Sequence, residues 1–199
     1  MEQNKQAKPG AGRWKLLAVL AVCAAPLVLS YLMYYVVKPE GRTNYGELVT
    51  PAKPLPSLQF LDAAGKPTDS EALKGRWSLV YMGAADCGKT CMDKLFQIRQ
   101  VRILLNDERV RVRRYYVAPD SAALQIAQAR LADTHKDLSY LADIGQPGSR
   151  AVDFFHPTDP DAVYLIDPLG NWMMIYPGTA EYKGMLKDIK YLLKLSHIG

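Results

Sequence analysis

The stretch WSLVYMGAADCGKTC, from Trp77 to Cys91, decides the fold. Its first six residues, Trp77–Met82, carry no charge and are mostly strand formers, which predicts a buried β-strand. From Cys91 onward, apolar residues recur at steps of three and four, which predicts a helix with one buried face (Cys91, Leu95, Ile98, Val101 and Leu105). Cys87 and Cys91 therefore lie where a strand passes into a helix.

The residues that follow continue this alternation of strands and helices. A second strand is predicted at Val110–Val117, and a helix from Ser121 to about Thr134. Two apolar runs on either side of Asp167-Pro-Leu-Gly170 predict a β-hairpin, and a last amphipathic helix follows it. This order predicts the α/β class, with a thioredoxin-like sandwich over residues 58–199 in which helices flank a central mixed sheet.

A long apolar segment precedes this domain. Residues 16–37 carry no charge and would span about 33 Å as a helix, enough for a bilayer core of about 30 Å. The apolar core of a cleaved signal peptide is shorter, about 7–15 residues, so we expect an uncleaved transmembrane helix.

The flanking charges predict how this helix is oriented. Basic residues are concentrated in residues 1–15, which we therefore expect in the cytoplasm. Residues 38–57 contain four prolines and are predicted to tether the domain on the other side of the membrane. The expected location is the bacterial inner membrane, with a single span and the C-terminal domain in the periplasm.

The basic character of the chain belongs mainly to this N-terminal part. The whole chain has a net charge of +5, but residues 1–44 hold six basic and two acidic residues, which leaves +1 for the rest. A nucleic-acid binder needs a basic face on its folded part, so we expect no nucleic acid as a partner. The six arginines between Arg99 and Arg114 are interpreted as a solvated face, with docking to anionic headgroups or an acidic partner as the alternative.

The cysteine pair permits more than one chemistry. Unpaired N–H groups at a helix N-terminus, and Lys89 between the two cysteines, favour a thiolate. The pair can cycle between dithiol and disulfide, or its two thiolates can hold Cu(I) with a third ligand such as an imidazole. A structural disulfide, or two buried thiols, is the remaining possibility. Cys23, inside the apolar segment, is interpreted as a small apolar residue.

Two segments carry a resemblance to a known family. Lys74–Cys91 and Tyr164–Gly170 (YLIDPLG) are similar to the Sco/SenC family, and the similarity extends over about residues 50–195 and to the N-terminal anchor. The resemblance implies a membrane-anchored, thioredoxin-like protein that helps to assemble the copper centre of cytochrome c oxidase. Members of that family bind copper through two cysteines of a C-x3-C motif, which match Cys87 and Cys91, and through a distant histidine.

The position of the histidine differs in this chain. The family places it about five residues before the tyrosine of a strand, and counting back from Tyr164 gives Asp159. His156 is the nearest candidate for the third copper ligand. His135 and His197 are expected at the surface. The residues between the cysteines, Gly-Lys-Thr, also depart from the family, which usually has an acid there and prolines nearby.

Two functions stay open on this resemblance. In the first, Cys87, Cys91 and His156 bind copper, and the partner is a cytochrome c oxidase subunit or another copper chaperone. In the second, the chain is a copper-independent thiol-disulfide oxidoreductase that is supplied with electrons by a periplasmic thiol reductant. Cys87, expected to be the more exposed, would then attack, Cys91 would resolve the mixed disulfide, and Pro160 would provide a cis-proline.

The same loop also matches a phosphate-binding pattern. Residues 83–90, GAADCGKT, satisfy G-x-x-x-x-G-K-[ST] between a strand and a helix. Asp167, at the end of the strand predicted from Val163, would then hold magnesium. A nucleotide-binding protein is therefore a minor alternative, although a domain outside the cytoplasm has no supply of ATP.

Overall fold

The computed structural model describes residues 11–37, 44–196 and 198, and it divides into two compact units, Met1–Thr43 and Asn44–Gly199. In the first unit, helix α1 spans Ala11–Leu32 and continues as a π-helical turn at Met33–Val37. By length and composition, the stretch Arg13–Tyr35 is long and apolar enough to cross a membrane. It overlaps the predicted span, whereas residues 38–43 of the predicted tether lie outside the described residues.

The second unit is built on one mixed sheet of eight strands over its described residues 44–196 and 198. The strands are β1 (Glu47–Pro54), β2 (Gln59–Asp62), β3 (Pro67–Asp69), β4 (Trp77–Met82), β5 (Val112–Ala118), β6 (Leu138–Asp143), β7 (Val163–Ile166) and β8 (Asn171–Tyr176). The helices are α2 (Lys89–Leu104), α3 (Ser121–Leu131), α4 (Ala151–Phe155) and α5 (Tyr182–Leu195).

The order of the strands places β4 in the middle of the sheet. The sheet runs β1-β8-β7-β4-β5-β6-β2-β3, and β4, β5 and β6 are parallel neighbours while the other pairs are antiparallel. The predicted hairpin is present as the β7–β8 pair. The architecture is thus the predicted α/β sandwich with a central mixed sheet and flanking helices.

Both faces of the sheet are buried, which explains the uninterrupted apolar run at Trp77–Met82. Leu79 and Tyr81 pack on one side, in a cluster with residues of α2, α3 and α5. Val80 points to the opposite side, in a second cluster with α4. A strand covered on both faces needs apolar residues at successive positions, so β4 forms the centre of the core.

Three strands, β1, the short β3 and β6, were not expected from the sequence. β1 lies inside residues 38–57, so the tether prediction is wrong for Glu47–Pro54, which pairs with β8. Its prolines are tolerated because β1 is an edge strand. β6 extends the sheet beyond β5 in a segment for which the sequence predicted no regular structure.

The arginines and histidines of this region are partly structural. The guanidinium of Arg114 is fully buried and donates hydrogen bonds to both carboxylate oxygens of Asp137 and to the Leu95 carbonyl. Burial opposes ionisation of Asp137, but the hydrogen bond and charge of Arg114 outweigh it, and the pKa of this carboxyl is lowered. Arg114 therefore does not belong to the predicted solvated face.

His135 is also buried, so its expected surface position is wrong. Only 4% of it is exposed. It lies in the tight turn from α3 into β6, where its backbone N–H donates to the Leu131 carbonyl and its carbonyl accepts from the Leu138 N–H. Burial, and then the charges of Arg114 and Arg99, lower the pKa of His135. His197 lies outside the described residues.

Candidate functional site

The loop between β4 and α2 is held against the neighbouring strand β5. A Cβ on Gly83 would overlap the ring of Tyr116, so glycine is required where the chain leaves β4. The Tyr116 hydroxyl donates a hydrogen bond to the Ala84 carbonyl, and Arg130 of α3 donates to the Asp86 carbonyl at 2.8 Å. These contacts present Cys87 at the start of α2.

The structure brings the two predicted cysteines into direct contact. Cys87 and Cys91 form a disulfide with an S–S distance of 1.97 Å and a Cα–Cα distance of 5.2 Å. Cys91 is the third residue of α2, one turn after Cys87, so the helix itself sets the spacing. Cys87 adopts a left-handed backbone conformation with φ of 35°.

The N-terminus of α2 favours a thiolate at this pair. The N-cap residue is Gly88, which offers no side-chain hydrogen bond, and the first turn contains no acidic residue. The first N–H groups of a helix point outward without intrahelical partners, and they carry the positive end of the helix dipole. On reduction, these N–H groups favour a negatively charged sulfur.

The relative exposure of the two cysteines differs from the expectation. Cys87 is 1% exposed and Cys91 is 5% exposed, so Cys87 is not the more accessible residue. Its left-handed turn folds it inward against the core cluster under β4 and α2. Both cysteines nevertheless line a cavity of about 610 Å³, which gives a partner a route to the disulfide.

The walls of this cavity combine an apolar surface with acidic side chains. Met82, Val117, Val152, Pro157 and Pro160 contribute apolar surface. Its charged residues are Asp86, Asp143, Arg150, Asp159 and Asp161. The size lies within the range of about 300–1,000 Å³ that is typical of ligand sites.

Most of these polar groups are fixed by hydrogen bonds. The Tyr81 hydroxyl donates to Asp161 at 2.9 Å, and Asp159 accepts from the backbone N–H groups of Asp161 and Gly178 at 2.9 and 2.5 Å. Arg150 lies 3.7 Å from the buried carboxylate of Asp143.

The acidic walls perturb the tyrosines beside them. Burial, and then the negative charge of Asp159, raise the pKa of Tyr164 to about 12. Burial, and then the charge of Asp86, raise the pKa of Tyr116 to about 12. Tyr81 shifts upward too, because it is buried and its hydroxyl is bonded to Asp161. These phenols stay neutral, and the hydroxyls of Tyr81 and Tyr116 donate hydrogen bonds.

The structure does not bring His156 to the two cysteines. His156 ends α4 in a left-handed conformation and lines a separate cavity of about 370 Å³, with Lys53 among its neighbours. Asp159, which occupies the position expected for the family's histidine, does line the cysteine cavity. Within the described residues there is no group of three His, Cys, Asp or Glu side chains that could hold a metal ion.

Sequence analysis missed several residues of the cavity, among them Tyr81, Asp143, Arg150 and Asp161. The position five residues before Tyr164 could have indicated these residues, because it lies in the loop that lines the cavity with the cysteines. This position is occupied by Asp159 and not by a histidine, and both of its carboxylate oxygens accept hydrogen bonds from backbone N–H groups.

Two further expectations are not met. Asp167 follows the C-terminal end of β7, and β7 runs antiparallel to β4, so Asp167 lies near Trp77 rather than near residues 83–90. Its carboxylate binds Leu169 and Asn171 within the turn, and no magnesium-binding loop is assembled. The one cis peptide bond in the described part of the chain precedes Pro51, so the bond before Pro160 is trans.

Comparisons with known proteins agree with this architecture. A family model described as "Transmembrane-like, thioredoxin-like, C-terminal domain" matches residues 77–196, and one described as "Transmembrane-like, N-terminal domain" matches residues 7–37. No match is found among curated proteins. The first family model covers more than half of the chain.

Solved structures share the fold at low sequence identity. Copper-bound ScoI of Arabidopsis thaliana matches with a TM-score of 0.57 and 18% identity, over 71% of this chain and 98% of that one. BsSco, a member of the Sco family of cytochrome c oxidase assembly proteins in which a disulfide switch was identified, matches with a TM-score of 0.57 and 19% identity, over 73% and 96%.

A redox protein is equally similar in structure. The thioredoxin domain of a thiol-disulfide oxidoreductase from Bacteroides vulgatus matches with a TM-score of 0.57 and 12% identity, over 71% of this chain and 96% of that one. The expected thioredoxin-like fold of Sco type is thereby confirmed. Proteins with this fold therefore include a copper-bound ScoI and a thiol-disulfide oxidoreductase.

Proposed function

The chain belongs to the family with a transmembrane-like N-terminal domain and a thioredoxin-like C-terminal domain, and on that premise we propose that it is a membrane-anchored thiol-disulfide exchange protein. The observation that carries the proposal is the Cys87–Cys91 disulfide in the wall of an open cavity, at the N-terminus of α2. A structural disulfide has no need of a cavity beside it. A redox pair needs one, because a partner's sulfur must approach in line with the bond that breaks.

The exchange proceeds in two balanced steps. In the reduced protein, the Cys87 thiolate attacks a partner's disulfide, a mixed disulfide forms, and the partner's first sulfur leaves as a thiolate. Cys91 then loses its proton to solvent and attacks the Cys87 sulfur, and the partner's second sulfur leaves. The partner's disulfide thereby gains two electrons and Cys87 and Cys91 form a disulfide. Two thiols of a periplasmic thiol reductant then reduce the Cys87–Cys91 disulfide and are themselves oxidised to a disulfide. We assign the first role to Cys87 because it precedes the N-cap residue Gly88, whereas Cys91 lies within the first turn of α2.

The proposed setting is the assembly of cytochrome c oxidase. The names of the structurally similar Sco proteins support this role, and the basic residues before the apolar segment 16–37 support a cytoplasmic N-terminus with the domain in the periplasm of a bacterium. The partner is a cytochrome c oxidase subunit, or a copper chaperone, whose cysteines must be reduced before their thiolates can hold copper.

Copper carriage by this chain is the second candidate. The proximity of two sulfurs favours it, because a reduced pair can hold Cu(I) as a bound cargo. The residues present do not supply the expected third ligand, since His156 lines a different cavity and both oxygens of Asp159 are engaged. A carrier without that ligand would release Cu(I) more readily than one with it.

One experiment separates the two candidates. The full chain, with Cys23→Ser so that only the pair reacts, is reduced in a nonionic detergent and given either insulin, whose disulfides it can reduce, or Cu(I) held by a competing chelator. We expect insulin reduction in the presence of a dithiol reductant, and its loss in Cys87→Ser and in Cys91→Ser.

The copper arm gives its own outcomes. His156→Ala is expected to leave Cu(I) binding unchanged, because the side chain is not in the cysteine cavity. Tight uptake of one Cu(I) that His156→Ala abolishes, with no insulin reduction, would establish the copper carrier and overturn the exchange protein.

A further inference from the structure

The charge of the cysteine cavity points to the class of partner that it accepts. Four aspartates and one arginine are the charged residues of its walls. Arg150 and Asp143 lie 3.7 Å apart and offset each other, so the negative charge of the walls comes mainly from Asp86, Asp159 and Asp161. The cavity is a site on independent grounds, because the Cys87–Cys91 disulfide forms part of the same wall.

The nearest cations do not remove this charge. Lys94 is only 3% exposed and donates to the carbonyls of Gly178 and Ala180, and its single charge offsets only part of the charge of Asp159 and Asp161. Lys89, between the two cysteines in sequence, is exposed and does not line the cavity. Arg130 donates a hydrogen bond to the backbone carbonyl of Asp86 and not to its side chain. Among the described residues, the Asp86 carboxylate has no hydrogen-bond or ion-pair partner. Burial, and then the charges of Asp86 and Asp159, raise the pKa values of Tyr116 and Tyr164, so these two charges act next to the cavity.

We infer that the cavity selects a cysteine-bearing peptide segment of a partner protein in which lysine or arginine flanks the cysteine. This inference rests on the proposed function, since the selection acts on the disulfide exchange of Cys87 and Cys91. The aspartates attract a positive segment into the cavity and repel acidic segments and small anionic thiols. Charge complementarity of this kind acts mainly on the rate of encounter, and its effect ranges from about 10-fold to about 10³-fold at low salt.

The test uses three synthetic peptides, each with one cysteine in a mixed disulfide with thionitrobenzoate. The cysteine is flanked by lysines, by serines or by glutamates. The reduced full chain with Cys23→Ser, in nonionic detergent, attacks each peptide, and the released thionitrobenzoate is followed by its absorbance. We expect the lysine peptide to react at least about 10-fold faster than the glutamate peptide at low salt. The ratio should fall toward one when salt screens the charges.

Two variants assign the effect to the cavity. Asp86→Asn removes a carboxylate without a partner, and Asp161→Asn keeps an oxygen that can accept from Tyr81, so both should fold. Together they should reduce the ratio several-fold. Asp107→Asn is the matched control, because this exposed residue follows α2 at the other end of a helix about 24 Å long.

The outcomes distinguish the inference from the function beneath it. Equal rates for the three peptides, or a ratio unchanged in Asp86→Asn/Asp161→Asn, would overturn the inferred selection while leaving disulfide exchange intact. No release from any peptide would overturn the exchange function itself, and the selection with it.

Discussion

Reduction of the Cys87–Cys91 disulfide should change the stability of the domain only slightly. The bond closes a loop with a sequence separation of only four residues. Loop-closure entropy for so short a loop amounts to about 2 kcal/mol at 25 °C, against about 3 kcal/mol for a 15-residue loop. Cys87 also relinquishes a left-handed conformation, with φ of 35°, when the loop is free to relax, and such strain is of order 1–3 kcal/mol. The net effect of reduction therefore lies between a loss and a gain of about 1 kcal/mol.

Urea unfolding of the full chain in nonionic detergent, with and without a phosphine reductant, measures this difference. Near-ultraviolet circular dichroism follows the domain, because its buried tryptophans and tyrosines lose their fixed surroundings on unfolding. The variant Cys87→Ser/Cys91→Ser is the control and should match the reduced protein. A loss of more than about 4 kcal/mol, or a reduced domain without tertiary signal, would show that the bond holds the fold together, and the proposed redox cycle would fail.

The buried charges give two further predictions. Asp137→Asn should destabilise the domain by about 2–3 kcal/mol in urea unfolding, because it leaves the fully buried Arg114 with a weaker partner, whereas the exposed Asp133→Asn should change little. His135 has a lowered pKa in the folded state, so the unfolded chain takes up its proton first, and stability should fall as the pH drops below about 6.5, by at most about 1.4 kcal/mol per pH unit. His135→Gln should flatten this part of the stability–pH profile, and an unchanged slope would refute the assignment.

Local patterns were sufficient to predict the centre of the fold. The run Trp77–Met82 is apolar at every position but Ser78, and the turn at Pro168–Gly170 joins two strands that pair with each other. These features depend on neighbours in sequence, as does the placement of Cys87 before α2 and Cys91 in its first turn. The sulfur–sulfur contact follows from one turn of helix.

The missed elements depend on partners that are distant in sequence. β1 contains Pro51 and Pro54 and was predicted as a tether, yet it is a strand because β8 offers it an edge to pair with. β6 follows charged residues, and it is stabilised by its parallel partner β5. No local sequence pattern predicts that β1 pairs with β8 or that β6 pairs with β5.

The residues that form the site are also distant from one another in sequence, so local patterns could not predict them. Asp161 and Tyr81 are 80 residues apart in sequence and meet only because β7 lies beside β4. The burial of Arg114 and of His135 likewise required knowledge of what packs around them, since both residue types are usually exposed or half-exposed. His156 was chosen for its proximity in sequence to Tyr164, and the turn that ends α4 carries it to a different cavity.

The most direct test of the account asks whether the disulfide reacts while the protein stays folded. The full chain with Cys23→Ser is treated with a small dithiol in the absence of denaturant, and reduced cysteines are tagged with a maleimide of known mass while circular dichroism monitors the fold. We expect both Cys87 and Cys91 to become tagged with the tertiary signal intact, and we expect the bond to form again when the dithiol is removed and an oxidised partner is added. A disulfide that is reduced only once the domain has unfolded would contradict it.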